Sequence, residues 1–170
     1  APSRAPCILT VRLRGAISAS RLRLIETALQ RRDKALPAIR RPIALRLDVD
    51  THGGELFSAL EIGRILRREP AAIYVGPRAQ CSSACVFVLM GATDRRIAPG
   101  AGIGIPRPSL AANEREASVG AMVPQILQYA DEMGVPRGIV DDMVLISSDY
   151  FRYLSARELV DYGIAVSGTR

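Results

Sequence analysis

Apolar residues along this chain recur with two different spacings, and each spacing predicts one kind of secondary structure. Short apolar and β-branched runs that stop at glycine or proline predict strands. The predicted strands run from Cys7 to Leu13, Ile43 to Val49, Ala71 to Val75, Arg95 to Ala98, Gly102 to Ile105 and Ile164 to Val166. Longer segments with apolar residues three and four apart predict helices. The predicted helices run from Ser20 to Leu36, Glu55 to Arg68, Ser82 to Ala92, Asn113 to Met133, Pro136 to Ile146 and Ser155 to Gly163.

Local signals refine these helices. Ser20 is a candidate N-cap of the first helix, because its hydroxyl would accept a hydrogen bond from a free helix amide. Ser155 and Glu158 have the spacing of a capping box. Pro124 predicts an interruption or a boundary within the long helix. The segment from Ser82 to Ala92 is apolar on nearly every side, and its length favours a buried helix over a buried strand.

The alternation of strands and helices predicts the fold class α/β, with a mostly parallel sheet flanked by helices. The length of 170 residues fits a single domain, 1–170, in which residues 1–6 form a flexible N-terminal segment. Ligand sites of parallel sheets lie at the carboxyl ends of the strands. Functional residues are therefore expected at the junctions where a strand leads into a helix.

The charge and composition of the chain argue against a nucleic-acid partner and against a membrane span. The net charge is +6, from 23 basic and 17 acidic residues. Lys34 is the single lysine, and the arginines are scattered rather than clustered. Aromatic residues make up only 5% of the chain, whereas nucleic acids bind where rings lie beside positive charges, so a nucleic-acid partner is disfavoured. No apolar run reaches the length of a membrane span.

The three cysteines, Cys7, Cys81 and Cys85, form no Cys-x-x-Cys pair and no cluster with histidine, which argues against a structural zinc site. We predict no metal and no cofactor. Cys81 and Cys85 are four residues apart. A regular helix would not give this pair disulfide geometry, whereas a turn between them would permit a bridge. The first six residues are not a signal peptide, and whether one was removed ahead of them stays open.

Two strand-to-helix junctions carry residues suited to acyl transfer. The first is Asp50-Thr51-His52-Gly53-Gly54, in which two glycines allow backbone amides to approach a ligand closely. The second is Cys81-Ser82-Ser83-Ala84-Cys85, in which a serine precedes the free amides of a helix. Taken alone, the first is a tight turn and the second an ordinary N-cap. Together they supply a nucleophile and two sources of donors for a negatively charged oxygen.

The order and spacing of these and further motifs resemble the proteolytic subunit of the Clp protease. The matching segments are Asp50-Thr51-His52-Gly53-Gly54, Ser82-Ser83-Ala84-Cys85, Arg95-Arg96-Ile97-Ala98-Pro99, Ile103-Gly104-Ile105-Pro106-Arg107-Pro108, Leu154-Ser155-Ala156-Arg157-Glu158 and Asp161-Tyr162-Gly163-Ile164. They extend over residues 7 to 167. The chain looks most similar to small ClpP-like proteins outside the cytoplasm, which belong to the wider crotonase-like superfamily. The resemblance implies a ClpP/crotonase-like fold.

The resemblance also implies roles for residues of both junctions. Ser83 would be the nucleophile, at the start of the buried helix. The amides of Gly54 and Ala84 would form the oxyanion hole, with Gly53 beside them.

Two members of the family's catalytic triad are replaced in this sequence. The catalytic histidine falls on Pro106, a degenerate position because proline cannot accept a proton. The aspartate falls on Phe151, and Asp149 is a carboxylate two residues away. A serine–lysine dyad, as in the related signal peptide peptidases, would depend on Lys34, and the place of Lys34 on the N-terminal helix argues against it.

His52 is the single histidine of the chain and a candidate base for Ser83. Asp48, Asp50 or Asp149 would orient its ring, and nothing in the sequence favours one of the three. We favour the alternative interpretation of His52, a solvent-facing loop histidine, because a base must lie within about 3 Å of the proton that it removes.

These observations predict a ClpP-like serine hydrolase, a peptidase with an incomplete triad that acts on a peptide or protein substrate. The first alternative is a catalytically degenerate relative that binds peptides or a protein partner, and Pro106 motivates it. The second alternative is a crotonase-type acyl-CoA enzyme, in which two amides stabilise a thioester enolate. The resemblance further implies a homo-oligomer and a periplasmic or otherwise exported location, with the cytoplasm as the alternative.

Overall fold

The computed structural model of the chain describes residues 5–69, 71–106, 113–144 and 151–165. The strands within these ranges are β1 (Cys7–Arg14), β2 (Ile43–Asp50), β3 (Ala71–Val75), β4 (Gln80–Ser82), β5 (Asp94–Ile97), β6 (Gly102–Pro106) and β7 (Phe151–Tyr153). The helices are α1 (Ala19–Ile39), α2 (Leu56–Arg68), α3 (Ala84–Gly91), α4 (Asn113–Met133), α5 (Arg137–Val144) and α6 (Ala156–Asp161). Strands and helices alternate, which confirms the predicted α/β class. Residues 1–4 of the expected N-terminal segment lie outside the described residues, as does Asp149.

Four strands form a parallel sheet in the order β1-β2-β3-β5. Alternate residues of β1 and β2 point into the core, so that Leu13, Leu45 and Leu47 are almost fully buried. α1 contacts β1, and α2 contacts both β3 and α1, so the two crossover helices cover this apolar face. The predicted parallel sheet flanked by helices is confirmed.

A second sheet joins β4, β6 and β7, and the sequence pattern does not separate it from the first. β4 pairs with β6 in parallel, and β6 pairs with β7 antiparallel. β4 and β7 are only three residues long, too short for an alternating pattern to be recognised. The predicted strand from Ile164 to Val166 is wrong at its first two residues, because the amides of Ile164 and Ala165 turn back to the carbonyl of Leu159. Val166 lies outside the described residues.

The helix ends differ from the prediction in detail. Ser18 rather than Ser20 is the N-cap of α1, and its hydroxyl accepts a hydrogen bond from the Arg21 amide. Pro124 lies inside α4 and does not interrupt it. The capping box of α6 is confirmed, because the Ser155 hydroxyl accepts from the Glu158 amide while the Glu158 carboxylate accepts from the Ser155 amide. No helix within the described ranges combines the length and apolarity needed to cross a membrane.

α3 is buried on every side, as its uniformly apolar sequence predicts. It packs against α2 through a glycine contact. A Cβ built on Gly91 would lie 2.3 Å from the carbonyl oxygen of Gly63, so this helix pair requires glycine to approach so closely. The Tyr129 hydroxyl of α4 closes the same contact by donating to the Phe87 carbonyl at 2.5 Å. α3 therefore holds its first residue, Ala84, in a fixed position relative to the sheets.

Candidate active site

Thr51 connects the two strand-to-helix junctions described above. Its side chain is 1% exposed, and it follows β2 directly. The Thr51 amide donates to the Gln80 carbonyl at 2.8 Å, and the Ser82 amide donates to the Thr51 carbonyl at 3.2 Å. Its hydroxyl donates to the Gly15 carbonyl and accepts from the Gly53 amide at 3.1 Å. This role of Thr51 was not predicted, and a hydroxyl residue beside a glycine pair was its only signal in the sequence.

Ser83 lies at the turn from β4 into α3 and has a backbone conformation that residues with a side chain rarely adopt. Its φ of 56° and ψ of −127° lie outside the helical and extended regions. The turn is held by the Ser83 amide, which donates to the Gly104 carbonyl at 3.1 Å, and by the Ser83 carbonyl, which accepts from Val86 at 2.9 Å. The side chain is half-buried and makes no capping hydrogen bond. A strained serine between a strand and a helix is the arrangement that exposes a nucleophile in many hydrolases.

The glycine turn touches the serine turn directly. Gly53 and Gly54 have φ values of 105° and 149°, which favour glycine. A Cβ built on Gly53 would lie 2.7 Å from the Ser83 Cβ and 3.1 Å from the Ala84 nitrogen. The predicted meeting of the two junctions is therefore present, and any side chain at Gly53 would push them apart.

Some backbone amides of the two turns already donate hydrogen bonds within the protein, and others do not. The Gly53 amide already donates to the Thr51 hydroxyl, so Gly53 contributes the close approach of the two turns and no free amide. Within the described ranges, the amides of Gly54 and Ala84 donate to no other group. The backbone pairing with Ile17 does not use the Gly54 amide. The Ile17 amide donates to the Gly53 carbonyl, and the Glu55 amide donates to the Ile17 carbonyl. The pair is available to an external oxygen.

The positions expected for the triad base and acid lie opposite each other. Pro106 of β6 and Phe151 of β7 are partners in the antiparallel register. Gly104, two residues before Pro106, carries the carbonyl that binds the Ser83 amide. The register therefore brings the positions expected for the base and the acid together near the serine, but neither residue has a side chain that accepts a proton. Asp149, the alternative acid, lies outside the described residues.

The other candidate base and orienting groups are not assembled around Ser83. His52 is exposed, and among the described residues its ring has no hydrogen-bond partner. Asp48 forms an ion pair with Arg46, and Asp50 accepts from the Gln80 amide at 3.0 Å. Neither carboxylate orients the imidazole. Lys34 is exposed on α1.

A disulfide joins Cys81 and Cys85 across the serine turn. Cys81 lies in β4 and Cys85 in the first turn of α3, so the turn that would permit a bridge is present. Both cysteines are fully buried. The bridge closes a short ring that contains Ser82 and Ser83. The Ser82 hydroxyl is buried and has no partner within the described structure, whereas Ser83 is partly open to solvent.

Comparison with solved structures identifies the fold. No protein-family model and no curated protein matches the chain in sequence. Its fold is similar to a serine-to-alanine variant of the 1510-N membrane-bound stomatin-specific protease, with a TM-score of 0.69, 21% identity, and coverage of 95% of this chain and 78% of that one. A lysine-to-alanine variant of 1510-N in complex with a substrate peptide has a TM-score of 0.68 and 23% identity, over 95% and 74% of the two chains.

A third structure is 1510-N itself, a membrane protease specific for a stomatin homolog from Pyrococcus horikoshii. Its TM-score is 0.59 at 22% identity, and the match covers 94% of this chain and 72% of that one. This chain has a ClpP-like protease fold. In this chain the serine turn and the glycine turn meet at the carboxyl ends of β2 and β4, the edge at which parallel sheets place their ligand sites.

Proposed function

We propose that this chain is a ClpP-like serine hydrolase that acts slowly on peptides, with Ser83 as the nucleophile and the Gly54 and Ala84 amides as the oxyanion hole. The observation that carries the proposal is the strained backbone of Ser83 in contact with Gly53. A conformation of this kind is unfavourable by about 1 to 3 kcal/mol and persists mainly where a function depends on it. An ordinary N-cap serine would have extended backbone angles instead.

The chemistry assigned to each group follows from its position. The Ser83 oxygen attacks the carbonyl carbon, the carbonyl π bond opens, and the negative oxygen accepts from Gly54 and Ala84. Because Pro106 stands where the family has histidine, the serine proton passes to water. The tetrahedral intermediate then expels the amine, which takes a proton from that water as the C–N bond breaks, and leaves an acyl-serine. A second water attacks the ester, releases the carboxylic acid and returns the proton to the Ser83 oxygen. Oxyanion stabilisation without a complete triad still supports about 10³- to 10⁴-fold acceleration over water.

A serine-reactive fluorophosphonate probe tests this proposal. We expect slow covalent labelling of the wild-type chain, mapped to Ser83 by tandem mass spectrometry, and no labelling of Ser83→Ala. Ser82→Ala is the matched control, because the neighbouring hydroxyl is buried and should not react. Labelling that persists in Ser83→Ala, or none in the wild type after prolonged incubation, would contradict the proposal.

A second candidate function is peptide binding without catalysis. The observation that favours it is the Pro106–Phe151 pair, which leaves both triad positions without an ionisable group. In that case the same two amides hold a peptide carbonyl. This function predicts that a peptide binds equally well to the wild type and to Ser83→Ala, with no product after long incubation. Hydrolysis that disappears in Ser83→Ala would exclude it.

A crotonase-type function is the third candidate, since two amides would serve a thioester enolate equally well. Saturable binding of an acyl-CoA thioester, lost when Gly54 is replaced, would support it.

We further propose that the chain works in an oxidising compartment and forms a homo-oligomer. The Cys81–Cys85 disulfide supports the first part, because such bonds persist mainly outside the cytoplasm. The resemblance to ring-forming ClpP-like proteins supports the second. Light scattering of the purified chain measures the oligomeric state, and a monomeric mass would count against it.

A further inference from the structure

The free edge of the parallel sheet forms a groove with α1. β1 is the outermost strand and pairs only with β2 on its inner side. A surface groove of about 530 Å³ runs along this edge. On one side it is lined by residues 9 to 12 of β1, and on the other by Leu24, Ala28 and Arg31 of α1. None of these residues belongs to the candidate active site.

The backbone along this groove is able to pair with another strand. The Cys7 amide donates inward to the Pro42 carbonyl, so the odd-numbered residues of β1 face β2. The amides and carbonyls of Ile8, Thr10 and Arg12 therefore point outward, and within the described structure they have no partner. An eight-residue edge with free backbone groups is a template for strand addition.

The side chains along the groove favour one kind of occupant. Leu9, Leu24 and Ala28 supply apolar surface on the side that faces α1. Arg12 and Arg31 are exposed and form no ion pair with any described residue. In a strand added here, one set of alternate side chains would face the α1 side, with its apolar surface and Arg31, and the other set would lie beside Arg12 on the opposite face of the sheet. The net charge of +6 also favours an acidic occupant.

A second copy of this chain is a poorer fit. In an antiparallel pair of β1 edges, Arg12 and Arg14 of one copy would lie opposite the N-terminal half of β1 in the other, and β1 contains no acidic residue to pair with them. We propose that the β1 edge binds an extended acidic segment of a partner protein, with apolar and acidic residues in alternation, by strand addition.

Fluorescence anisotropy with synthetic peptides tests this. The probe is a labelled peptide of about eight residues with alternating valine and glutamate, matched in length to the strand. A second peptide has lysine in place of glutamate. We expect the glutamate peptide to bind and the lysine peptide not to bind. In Arg12→Glu/Arg31→Glu the preference should reverse, with at least a tenfold loss for the glutamate peptide.

Three controls make the outcome decisive. Arg23→Glu/Arg78→Glu changes the net charge equally, but both residues are exposed and neither lines the groove, so it should bind the glutamate peptide with less than a threefold change. Ser83→Ala should bind like the wild type, which separates this surface from the proposed active site. Thr10→Pro should abolish binding, because it removes an outward amide.

Three results would overturn the proposal. The first is an equal loss of affinity in both double variants, which would indicate only non-specific attraction. The second is the absence of binding by the glutamate peptide. The third is self-association of the wild type that Thr10→Pro abolishes, which would make a second copy the occupant of the edge.

Discussion

Ser83 keeps its unusual backbone conformation because its neighbours leave it no alternative. The Gly104 carbonyl holds its amide, Gly53 presses against its Cβ, and the Cys81–Cys85 bridge closes the turn. The serine and both glycines were predictable from the sequence but the conformation was not, because positive φ at a serine is set by tertiary contacts and not by local propensity. The bond that already occupies the Gly53 amide, to Thr51, was equally hidden.

The strain at Ser83 predicts an effect on stability. Glycine tolerates positive φ, so Ser83→Gly should relieve strain of about 1 to 3 kcal/mol, less about 0.5 to 1 kcal/mol for the greater flexibility of the unfolded chain. Ser83→Ala removes the same hydroxyl and keeps the strain. We expect Ser83→Gly to be more stable than Ser83→Ala by about 1 kcal/mol in urea unfolding. A Ser83→Gly variant that is less stable than Ser83→Ala would show that the turn is unstrained.

His52, the single histidine of the chain, is a candidate base for Ser83. It is exposed, and no described residue accepts or donates a hydrogen bond to its ring. We therefore expect His52→Ala to change the rate of fluorophosphonate labelling less than twofold. A drop of a hundredfold or more, with unchanged thermal stability, would identify His52 as the base and correct this interpretation.

Secondary-structure elements position the site through short contacts that leave no room for a side chain. The clearest one is between α2 and α3, where Gly63 and Gly91 meet backbone to backbone. The sequence predicted both helices and the burial of α3, since long periodic or wholly apolar segments are the strongest signals. It did not predict β4 or β7, and therefore missed the sheet that carries the Gly104 carbonyl and the Pro106–Phe151 pair.

Gly91→Ala tests the importance of this helix contact. The new methyl group would lie 2.3 Å from the Gly63 carbonyl oxygen, so the helices must separate. We expect a loss of about 3 kcal/mol, at the upper end of overpacking effects. Gly138→Ala is the control, because nothing lies within 4 Å of the place that its methyl group would take in α5, and alanine should stabilise that helix by about 0.5 to 1 kcal/mol. Similar unfolding midpoints for the two variants would contradict the close contact.

The capping box of α6 predicts that the stability of the fold depends on pH. The Ser155 amide and then the Arg152 guanidinium lower the pKa of Glu158 to about 2. Because its pKa in the folded chain lies below the ordinary value of 4.5, ionised Glu158 stabilises the fold above about pH 4.5, and this stabilisation is lost as the pH falls towards 2. Glu158→Gln should therefore lower the melting temperature at pH 7 and have little effect at pH 2. Equal effects at both pH values would rule out the charge as the cause.

The register of β6 and β7 predicts that reactivity is recoverable. Pro106→His together with Phe151→Asp places a base on β6 and an acid opposite it on β7. β6 is paired with β4, the strand that leads into Ser83. A complete triad exceeds the oxyanion hole alone by several orders of magnitude in rate. We expect fluorophosphonate labelling to rise at least tenfold in the double variant and less in either single variant. A folded double variant that labels at the wild-type rate would show that these positions do not face Ser83.

At the scale of the whole molecule, the ClpP-like fold was predictable because the order of motifs extends over nearly the whole sequence. The division into two sheets was not, because it depends on two three-residue strands. The sequence permits the disulfide but does not establish it, because cysteines four residues apart form a bridge only across a turn. The turn became visible only with the end of β4 at Ser82 and the start of α3 at Ala84.

The disulfide gives a prediction for the intact chain. Of the three cysteines, only Cys7 is free, and it is half-buried. Denatured but unreduced protein should therefore react with one equivalent of a thiol reagent, and reduced protein with three. Replacing Cys81 and Cys85 by alanine should lower stability by about 2 kcal/mol, the value expected for so short a loop. Three reactive thiols before reduction would contradict the bridge.

The proposed hydrolase function depends on one claim, that the glycine turn and the serine turn together hold a negatively charged oxygen. A crystal structure of the chain after fluorophosphonate treatment measures this most directly. We predict phosphorus bonded to the Ser83 Oγ, with one phosphoryl oxygen about 3 Å from both the Gly54 and Ala84 nitrogens. An adduct on another residue, or a phosphoryl oxygen that points into solvent away from both amides, would contradict it.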